Sequence, residues 1–315
     1  MHVFVHFPSG AACTIRLYLM NTPCRRLIKS WVIEETSDVK NFLRKRAHFS
    51  AQLFKQVKSK GDIKVNGTSV SPWAELQADD RLEVVFPEEE RGAVLSGENL
   101  PLAIVYEDDD ILILNKPSGI EVSPRPNHPK GSLAQGIIAH YDRQDLPYTV
   151  HIVTRLDRYT SGLMLVAKHK YSHSLMTSRF NLVERKYTAL VEGRFSKGKG
   201  DWGRVEAPIR RKPGSIIERE VHSEGRHAVT EYKVLKRGRR YSNLECRLVT
   251  GRTHQIRVHM ASIGFPLAGD TLYGGSDDKE FDYQALHCHH LTLIHPWSGE
   301  KIHFSADPPE NWEKY

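Results

Sequence analysis

The feature of this sequence that most clearly indicates chemistry is a carboxylate between two guanidiniums. Residues 154–162 read TRLDRYTSG, which places Asp157 between Arg155 and Arg158. Neighbouring positive charges favour the ionised form of an acid, and an ionised carboxylate in a basic setting suits chemistry on a polyanion. The same pattern is also typical of a surface ion pair, because structural ion pairs are common in proteins. The choice between these interpretations depends on the rest of the chain.

The residues that follow this motif predict how it is held in place. The turn Thr160-Ser161-Gly162 contains a glycine, so another backbone or a ligand can approach it closely. Residues 163–167 read LMLVA, an apolar run that predicts a buried strand. A strand packed in the core would fix the Asp157 loop against a rigid support.

Composition and charge narrow the class of protein. The chain has 315 residues, of which 39% are hydrophobic and 26% charged, as in a globular protein with one large domain or about two to three ordinary ones. The net charge of +7 favours an anionic partner. The four cysteines form no C-x-x-C pair, which indicates neither a disulfide framework nor a zinc knuckle and fits a reducing cytosol. No apolar run approaches the ~20 residues that span a bilayer, and no signal peptide is recognisable at the start. We therefore expect a cytoplasmic protein without membrane contact.

Composition shifts divide the chain into four parts. Residues 1–28 show no clean hydrophobic period and are expected to be an extension outside any folded domain. Residues 29–89 have the pattern of a small domain, and residues 90–101 are polar and acidic with glycine, as in a linker. Residues 102–315 form the second domain, in which strand-like segments alternate irregularly with helix-like ones. This mixture predicts an α+β fold.

Within the small domain, the local signals predict two short helices and a hairpin. Ser37 and Asp38 are the candidate caps of the first helix, and Ser50 is expected to cap the second, which Gly61 ends. The Asn66-Gly67 pair then predicts a tight turn between two strands. In the second domain, residues 103–106 and 111–114 predict another hairpin.

Positive charge is concentrated on these two helices and the strand after them. The basic residues of this stretch are Lys40, Arg44, Lys45, Arg46, Lys55, Lys58, Lys60 and Lys64. The only acid among residues 40–64 is Asp62. Such a run is also typical of an ordinary solvated helix face.

Two short basic helices followed by a hairpin, including the KGDIKVNG stretch, resemble the small αL-type RNA-binding domain shared with a small-subunit ribosomal protein. The resemblance covers Trp31 to Phe86. It implies that basic helix residues lie on RNA phosphates, where counterion release supplies affinity without reading the sequence. The residues concerned are Arg44, Lys45, Arg46, Lys55 and Lys58.

Four further segments of the second domain combine unusual polar residues. They are NKPSG at 115–119, RKY at 185–187, TGRTHQIRVHM at 250–260 and LHCHHLTLIHP at 286–296. In the third segment, helical spacing places His254 and Arg257 on one face and Ile256, Met260 and Ile263 on the buried side. Gly264 is expected to end that helix.

Each segment also has an ordinary structural interpretation. Asn-Lys-Pro is a common turn, and a lysine beside a tyrosine at a strand start is usually packing. The histidines at 287, 289 and 290 suggest zinc at first sight. Adjacent residues of a strand point to opposite faces, however, and no second ligand pair with matching spacing is present. The sequence therefore predicts no metal site.

Taken in order, the motifs NKP, RLDxxTSG, KxY, TGRTHQIRxH and LHxxxLxxxHP resemble the RluA/RluD-type RNA pseudouridine synthases from about Leu102 to Pro309. The resemblance implies a pseudouridine synthase fold, a mixed and largely antiparallel sheet flanked by helices with an active-site cleft. The sequence departs from the family pattern at two positions. Thr154 stands where a histidine is usual, and Tyr159 where an acid is frequent. That histidine is not the nucleophile of the family, so we expect Thr154 to tune the loop.

The resemblance implies isomerisation of uridine to pseudouridine in RNA, without a cofactor or metal. Asp157 would be the essential carboxylate, either attacking C1′ or removing the 2′ proton, and the sequence does not choose between these routes. Arg257 would pair with Asp157 and keep it ionised. Tyr187 would stack on the flipped uracil, and its phenol could act as a base only if its pKa were lowered.

Other residues are expected to contact RNA. Arg155 would fill the space that the flipped uridine leaves. Lys116 would contact phosphate or support the catalytic loop, and Arg252 and His254 would contact RNA at the cleft. The domain layout favours ribosomal RNA of the large subunit, although some relatives modify tRNA. We expect a monomer.

Two other functions are compatible with parts of the sequence. A catalytically inactive RNA-binding or ribosome assembly protein would retain the basic domain without chemistry. A carboxylate-dependent hydrolase would need a second convergent acid. Asp270 is the only obvious candidate for that acid, and we expect it instead to structure the turn before Tyr273.

Overall fold

The computed structural model describes residues 3–6, 26–91, 95–125, 128–195, 202–277, 280–312 and 314–315. The strands in chain order are β1 (Val3–His6), β2 (Ile28–Val32), β3 (Ser37–Asp38), β4 (Asp62–Val65), β5 (Thr68–Ser69), β6 (Glu75–Leu76), β7 (Arg81–Val85), β8 (Ile104–Glu107), β9 (Ile111–Lys116), β10 (His151–Ile152), β11 (Ser161–Ala167), β12 (Glu184–Glu192), β13 (Gly203–Glu206), β14 (Ile209–Arg211), β15 (Arg219–Val221), β16 (Val229–Arg237), β17 (Tyr241–Leu248), β18 (Leu286–Ile294) and β19 (Lys301–Ala306). The α-helices are α1 (Val39–Asn41), α2 (Ala51–Lys60), α3 (Leu133–Arg143), α4 (Lys170–Ser178) and α5 (Gln255–Ser262). A π-helical turn, Phe42–Arg46, follows α1, and short 3-10 turns occupy Phe180–Leu182, Thr271–Tyr273 and Glu310–Trp312. This mixture confirms the predicted α+β class.

None of the helices in the described part of the chain is long and apolar enough to cross a membrane. Most of residues 1–28, the expected extension, lies outside the described residues. The described part of residues 1–28 includes β1, which pairs antiparallel with β19.

Most of the strands from β8 onwards belong to one large sheet. Its central strands follow the order β13-β16-β17-β12-β18-β11-β9-β8, with β10 beside β11 and β19 beside β18. Strands β11 and β18 run parallel, and the other pairs of this sheet are antiparallel. The predicted hairpin of β8 and β9 and the predicted strand β11 are all present. The sheet is therefore largely antiparallel, as expected.

The strand register brings the sequence motifs into one row across this sheet. Lys116 of β9 pairs with Gly162 of β11, which pairs with Cys288 of β18, which in turn pairs with Tyr187 of β12. A Cβ on Gly162 would lie 2.3 Å from the carbonyl oxygen of Cys288, so only glycine permits this approach. Segments far apart in sequence thus meet where β11 begins, directly after the Asp157 loop.

The predicted supports of the loops are present. Residues 163–167 of β11 are almost completely buried in the main hydrophobic core. Helix α5 runs from Gln255 to Ser262, with Ile256 and Met260 in the core and Gly264 just beyond its end at a φ of 88°. Rigid packing on both sides therefore positions the loop of residues 154–160 and the residues at the start of α5.

The N-terminal segment, residues 26–86, has its own sheet, of order β2-β7-β4-β5. The Asp38 side chain accepts a hydrogen bond from the Asn41 amide at the start of α1, and Ser50 accepts one from the Leu53 amide at the start of α2. Asn66 and Gly67 both have positive φ in the turn between β4 and β5. The predicted caps and hairpin turn are therefore confirmed.

The N-terminal segment packs firmly against the rest of the chain. Tyr171 and Leu175 of α4 join its hydrophobic core, and the Tyr171 hydroxyl donates to the carbonyl oxygen of Ala47 at 3.0 Å. The Lys29 ammonium donates to the Asp110 carboxylate at 2.7 Å, and both side chains are less than a tenth exposed. The division into domains at residues 89 and 102 stays a prediction, and the contacts between the two regions form a buried interface.

Asp110 couples this interface to pH. Burial alone would raise the pKa of Asp110, but the hydrogen bond with His169 and the charge of the Lys29 ammonium lower it well below its ordinary value. A carboxylate with a lowered pKa contributes stability above its unfolded pKa of about 3.9. That contribution is lost as the pH falls through the folded pKa.

Replacing Lys29 tests the importance of this buried pair. The Lys29→Met variant leaves Asp110 buried without its cation, so we expect the free energy of unfolding to fall by about 3–5 kcal/mol near pH 7. The measurement is urea unfolding of the full-length protein. The double variant Lys29→Met/Asp110→Asn should recover part of the loss, because no unpaired charge then stays buried.

The matched control is Lys60→Met, because Lys60 contacts Glu90 at a similar 2.8 Å but both side chains are well exposed. Its unfolding should be indistinguishable from that of the wild type. Equal stability of the Lys29→Met variant and the wild type would show that the interface does not depend on the pair.

Candidate active site

Asp157 lies in a cleft of about 520 Å³ between the loop of residues 154–160, the start of α5 and the turn around Asp270. A smaller pocket of about 50 Å³ adjoins it and is lined by Asp157, Arg257 and Tyr187. The Asp157 side chain is 25% exposed, whereas that of Arg257 is 7% exposed. The structure therefore brings together the three residues expected to take part in catalysis.

The guanidinium of Arg257 contacts two carboxylates. Its Nε and Nη2 donate to the two oxygens of Asp270, each at 2.7 Å, and its Nη1 lies 3.4 Å from Oδ2 of Asp157. Burial acts to lower the pKa of Arg257, but the hydrogen bonds and charge of Asp270 and the charge of Asp157 raise it overall. Arg257 is thus a permanent buried cation, held firmly by Asp270 and more loosely by Asp157.

Asp270 has a role that sequence reasoning missed. Its backbone oxygen accepts hydrogen bonds from Tyr273 and Gly275, which is the expected turn structure. Its carboxylate is 2% exposed and forms the bidentate pair with Arg257. The sequence offers only a faint signal, an acid 13 residues after Arg257 in a turn. Because Arg257 occupies both carboxylate oxygens, Asp270 is not the free second acid that a hydrolase would need.

His254 faces Asp157 rather than open solvent. It precedes α5 in a left-handed conformation with a φ of 57°. Its Nδ1 lies 2.8 Å from the Tyr273 hydroxyl, and its Nε2 lies 3.8 Å from Oδ1 of Asp157. Burial lowers the pKa of His254, although the charge of Asp157 opposes this. At neutral pH the imidazole is therefore uncharged and adds no second cation beside the carboxylate.

Lys116 holds the catalytic loop from inside the protein. Its side chain is buried, and its ammonium donates to the carbonyl oxygens of Pro117, Ile120 and Arg158 at 2.7–2.9 Å. Burial lowers the pKa of Lys116 to about 8, against the opposing charges of Asp157 and Glu121. An ammonium enclosed in this way cannot reach a phosphate. Of the two expected roles of Lys116, this placement favours support of the loop over contact with a phosphate.

The two departures from the family pattern both have structural contacts. Thr154 is buried, and its hydroxyl accepts a hydrogen bond from the Leu165 amide of β11 at 2.8 Å. Tyr159 stacks on Tyr283, with ring centroids 3.4 Å apart and planes 7° apart. Thr154 therefore ties the start of the loop to the core strand, and Tyr159 ties its far end to the segment before β18.

Tyr187 is buried at the inner end of the small pocket and is 3% exposed. Burial raises the pKa of Tyr187 far above its ordinary value, and the nearby charge of Asp157 adds to the rise. The phenol therefore keeps its proton at neutral pH. The condition under which Tyr187 could act as a base, a lowered pKa, is not met.

The expected RNA contacts near the cleft differ in exposure. Arg155 is exposed on the rim of both pockets. Arg252 is half-buried in the small pocket, with its Nε donating to the carbonyl oxygen of His227 at 3.0 Å. Of the two, Arg155 has the freer side chain for a contact with RNA.

The basic residues of the N-terminal segment are on its surface. Five of them are expected to contact RNA, and all five are exposed in the structure: Arg44, Lys45, Arg46, Lys55 and Lys58. Arg44 also donates to the carbonyl oxygen of Phe49, and Arg46 pairs with Glu35. These side chains are accessible, and their contact with RNA stays a prediction.

Histidines of β18 form hydrogen bonds within the protein. His287 lies 2.9 Å from the Ser161 hydroxyl and 3.1 Å from the carbonyl oxygen of Ala306, and burial lowers its pKa to about 4. His290 lies 2.9 Å from the Thr292 hydroxyl. No cluster with the makeup of a metal site occurs among the residues that the structure describes.

The sequence of this chain is similar to those of one family of known proteins. Residues 110–262 match the model of a family described as RNA pseudouridylate synthase. The uncharacterized RNA pseudouridine synthase YjbO of Bacillus subtilis (strain 168) is 46% identical over 81% of this chain and 89% of its own length. The ribosomal large subunit pseudouridine synthase D of Pasteurella multocida is 38% identical over 79% of this chain and 81% of its own length.

A solved structure shows the same fold. The human RNA Pseudouridylate Synthase Domain Containing 1 superposes with a TM-score of 0.54 and 24% identity, covering 70% of this chain and 87% of the human one. This similarity confirms the predicted fold.

Replacing Asp270 tests whether its pairing positions Arg257. An asparagine offers one acceptor oxygen instead of two and removes the charge that neutralises the buried guanidinium. We expect Asp270→Asn to lower the rate of pseudouridine formation, the activity that those relatives are named for, by about 100-fold, as a displaced catalytic group does. The affinity for RNA should change little, because Asp270 is buried.

Rates and RNA dissociation constants should be measured on variants whose thermal unfolding is first shown to be cooperative. Asp277→Asn is the control, because Asp277 is an exposed acid in the same region. An Asp270→Asn variant with the wild-type rate would rule out the positioning role.

Proposed function

The chain belongs to the RNA pseudouridine synthase family, and we propose that it acts on uridines of large-subunit ribosomal RNA with Asp157 as its catalytic carboxylate. The enzyme is an isomerase. The N1–C1′ bond of uridine breaks, the uracil turns, and its C5 bonds to C1′, while the proton lost from C5 is balanced by one gained at N1. Substrate and product have the same atoms, so the reaction consumes no oxidant, reductant or water.

The convergence of Asp157, Arg257 and Tyr187 at the small pocket beside the cleft carries the proposal. Asp157 and Arg257 are 100 residues apart in sequence, and a purely structural surface pair would not require a buried arginine. The cleft of about 520 Å³ has room for a nucleoside.

The contact lengths around Arg257 suit a reactive carboxylate. A strong charge-assisted hydrogen bond measures about 2.7–2.9 Å. Asp270 has two bonds of that kind, whereas the contact of Arg257 with Asp157 is 3.4 Å. Arg257 thus stabilises the charge of Asp157 without fully occupying its oxygens. Such a carboxylate is suited both to attack at C1′ and to removal of the 2′ proton.

We assign Tyr187 a binding role and not a basic one. Its raised pKa keeps the phenol protonated, and its ring lines the small pocket beside Asp157. Stacking of an aromatic ring on a base contributes roughly 1–3 kcal/mol. Tyr187 would therefore hold the uracil through its rotation.

Arg155 is the residue we propose to enter the RNA. A uridine within a helix cannot reach Asp157, so it must be extruded at an energy of about a few kcal/mol. Arg155 is exposed on the cleft rim, two residues from Asp157. Its planar guanidinium can stack in the vacated space and pair with the RNA.

The choice of large-subunit ribosomal RNA rests on two observations. Several relatives that are 35–38% identical are named ribosomal large subunit pseudouridine synthase D. The N-terminal segment exposes basic helix residues suited to phosphate contacts. We further propose that the enzyme works as a monomer in the cytoplasm.

Replacing Asp157 tests both parts of the proposal. Purified wild type and the Asp157→Asn variant should be incubated with unmodified transcripts of large-subunit ribosomal RNA, small-subunit ribosomal RNA and tRNA, and pseudouridine measured by mass spectrometry. We expect wild type to modify only the large-subunit transcript. The variant should form no pseudouridine but bind that RNA with an affinity within a few-fold of wild type, since the substitution removes a single charge.

Glu121→Gln is the matched control, because Glu121 lines the same cleft but pairs with Arg125. It should retain the wild-type rate. Turnover by Asp157→Asn would refute the catalytic assignment, and modification of tRNA alone would refute the substrate assignment.

Removing only the hydroxyl of Tyr187 tests its role. Because the phenol keeps its proton and the ring supplies the stacking, Tyr187→Phe should lower the rate by less than about tenfold and leave the pH–rate profile unchanged. Single-turnover rates between pH 6 and 9 provide the measurement. A loss of more than about 1,000-fold would exceed one positioning contact and would restore a proton-transfer role for the phenol.

A further inference from the structure

Trp73 is an exposed aromatic side chain within the basic surface of the N-terminal segment. It is 60% exposed, more than any other of the five tryptophans of the chain. Exposing so large an apolar ring to water is unfavourable, and Trp is among the residue types typical of binding surfaces. The hydrophobic core of the segment does not include it.

The backbone around Trp73 is fixed. The amide of Val39 donates to the carbonyl oxygen of Ala74 at 3.0 Å, and the amide of Lys40 donates to that of Pro72 at 2.9 Å. The Trp73 amide donates to the Ser71 hydroxyl at 3.0 Å. Hydrogen bonds on both sides of the residue therefore attach this turn to the start of α1, so the ring is presented from a rigid support.

Two cations from different helices lie near the ring. The Lys40 ammonium of α1 is 4.3 Å from the ring centroid, and that of Lys58 of α2 is 5.9 Å away. The basic residues that we expect to contact phosphates lie on the π-helical turn directly after α1 and on α2. The only acid on the turn of residues 71–75 is Glu75. The arrangement combines an aromatic face with adjacent positive charges, as at sites that bind unpaired nucleotides.

We propose that Trp73, Lys40 and Lys58 form a binding site for one unpaired RNA base, separate from the catalytic cleft. The base stacks on the indole, and the lysines contact the phosphates on either side of it. Lysine side chains are flexible, so a base can displace one ammonium from the ring while that ammonium stays close to the backbone of the RNA. The inference rests on the proposed RNA-binding role of the N-terminal segment. It adds recognition of an unstacked base to a surface otherwise expected to bind only phosphates.

Binding of two RNA probes to the full-length protein tests the site. One probe is a hairpin with an unpaired loop, and the other is a blunt duplex of equal charge. We expect Trp73→Ala to weaken binding of the hairpin by about tenfold, the effect of losing one base stack, and to leave binding of the duplex unchanged. Trp73→Phe should restore most of the affinity for the hairpin. Lys40→Gln and Lys58→Gln should each reduce the salt dependence by about one unit of slope, which Trp73→Ala should not change.

Trp202→Ala is the matched control, because Trp202 is also exposed, at 41%, and lies 5.3 Å from the guanidinium of Arg247, outside the N-terminal segment. It should bind both probes as wild type does. Unchanged hairpin affinity in Trp73→Ala, or equal weakening for hairpin and duplex, would overturn the stacking site.

The salt dependence of RNA binding distinguishes failure of the base site from failure of the proposed function. If the lysine variants lower the slope but Trp73→Ala leaves the affinity for the hairpin unchanged, the segment binds phosphates without the base site and the proposed function stands. If none of the variants alters binding while the large-subunit transcript is still modified, Trp73, Lys40 and Lys58 do not contact RNA, so the base site is refuted and the proposed substrate stands. Loss of modification of that transcript by the wild type would instead contradict the proposed substrate.

Discussion

The candidate active site depends on a buried arginine, Arg257, that contacts two carboxylates. A guanidinium removed from water must be paired, and Asp270 satisfies this requirement with two hydrogen bonds of 2.7 Å. That pairing fixes the plane of the Arg257 side chain, which leaves Nη1 directed towards Asp157 at 3.4 Å. The stronger contact is therefore structural, and the weaker one is made with Asp157, the carboxylate that we propose to be catalytic. Tyr273 supports the same arrangement, because its ring lies 4.9 Å from the guanidinium carbon of Arg257.

The loop that carries Asp157 is held with similar rigidity from its other side. Lys116 binds the carbonyl oxygen of Arg158, and Thr154 binds the amide of Leu165. The strand register explains why these anchors lie close to one another, since Lys116 pairs with Gly162 directly after the loop. The sheet and α5 thus determine the distance between Asp157 and Arg257. Positioning of this kind requires residues whose own conformations are fixed by packing.

Much of this could be predicted from the sequence. The apolar periodicity and the helix-capping residues predicted β11, α1, α2 and α5, because those signals are local. The order of the motifs led to Asp157, Tyr187 and Arg257, which the structure brings together at the small pocket beside the cleft. The role of the Asp270 carboxylate was missed because a Gly-Asp-Thr turn explains an acid without any distant partner. The sequence left open whether Lys116 contacts phosphate or supports the loop, because its burial depends on carbonyl groups from two separate segments, Pro117 and Ile120 in one and Arg158 in the other. No local pattern reveals that convergence. The Lys29–Asp110 pair and the Tyr159–Tyr283 stack likewise join residues far apart in sequence.

Mapping pseudouridines in cellular RNA tests the central claim most directly. Total RNA from cells that lack the gene should be compared with RNA from the same cells after the gene is restored. The account predicts that one or a few pseudouridines of large-subunit ribosomal RNA disappear without the gene and return with it, while tRNA is unchanged. Persistence of every large-subunit pseudouridine in the cells without the gene would contradict it.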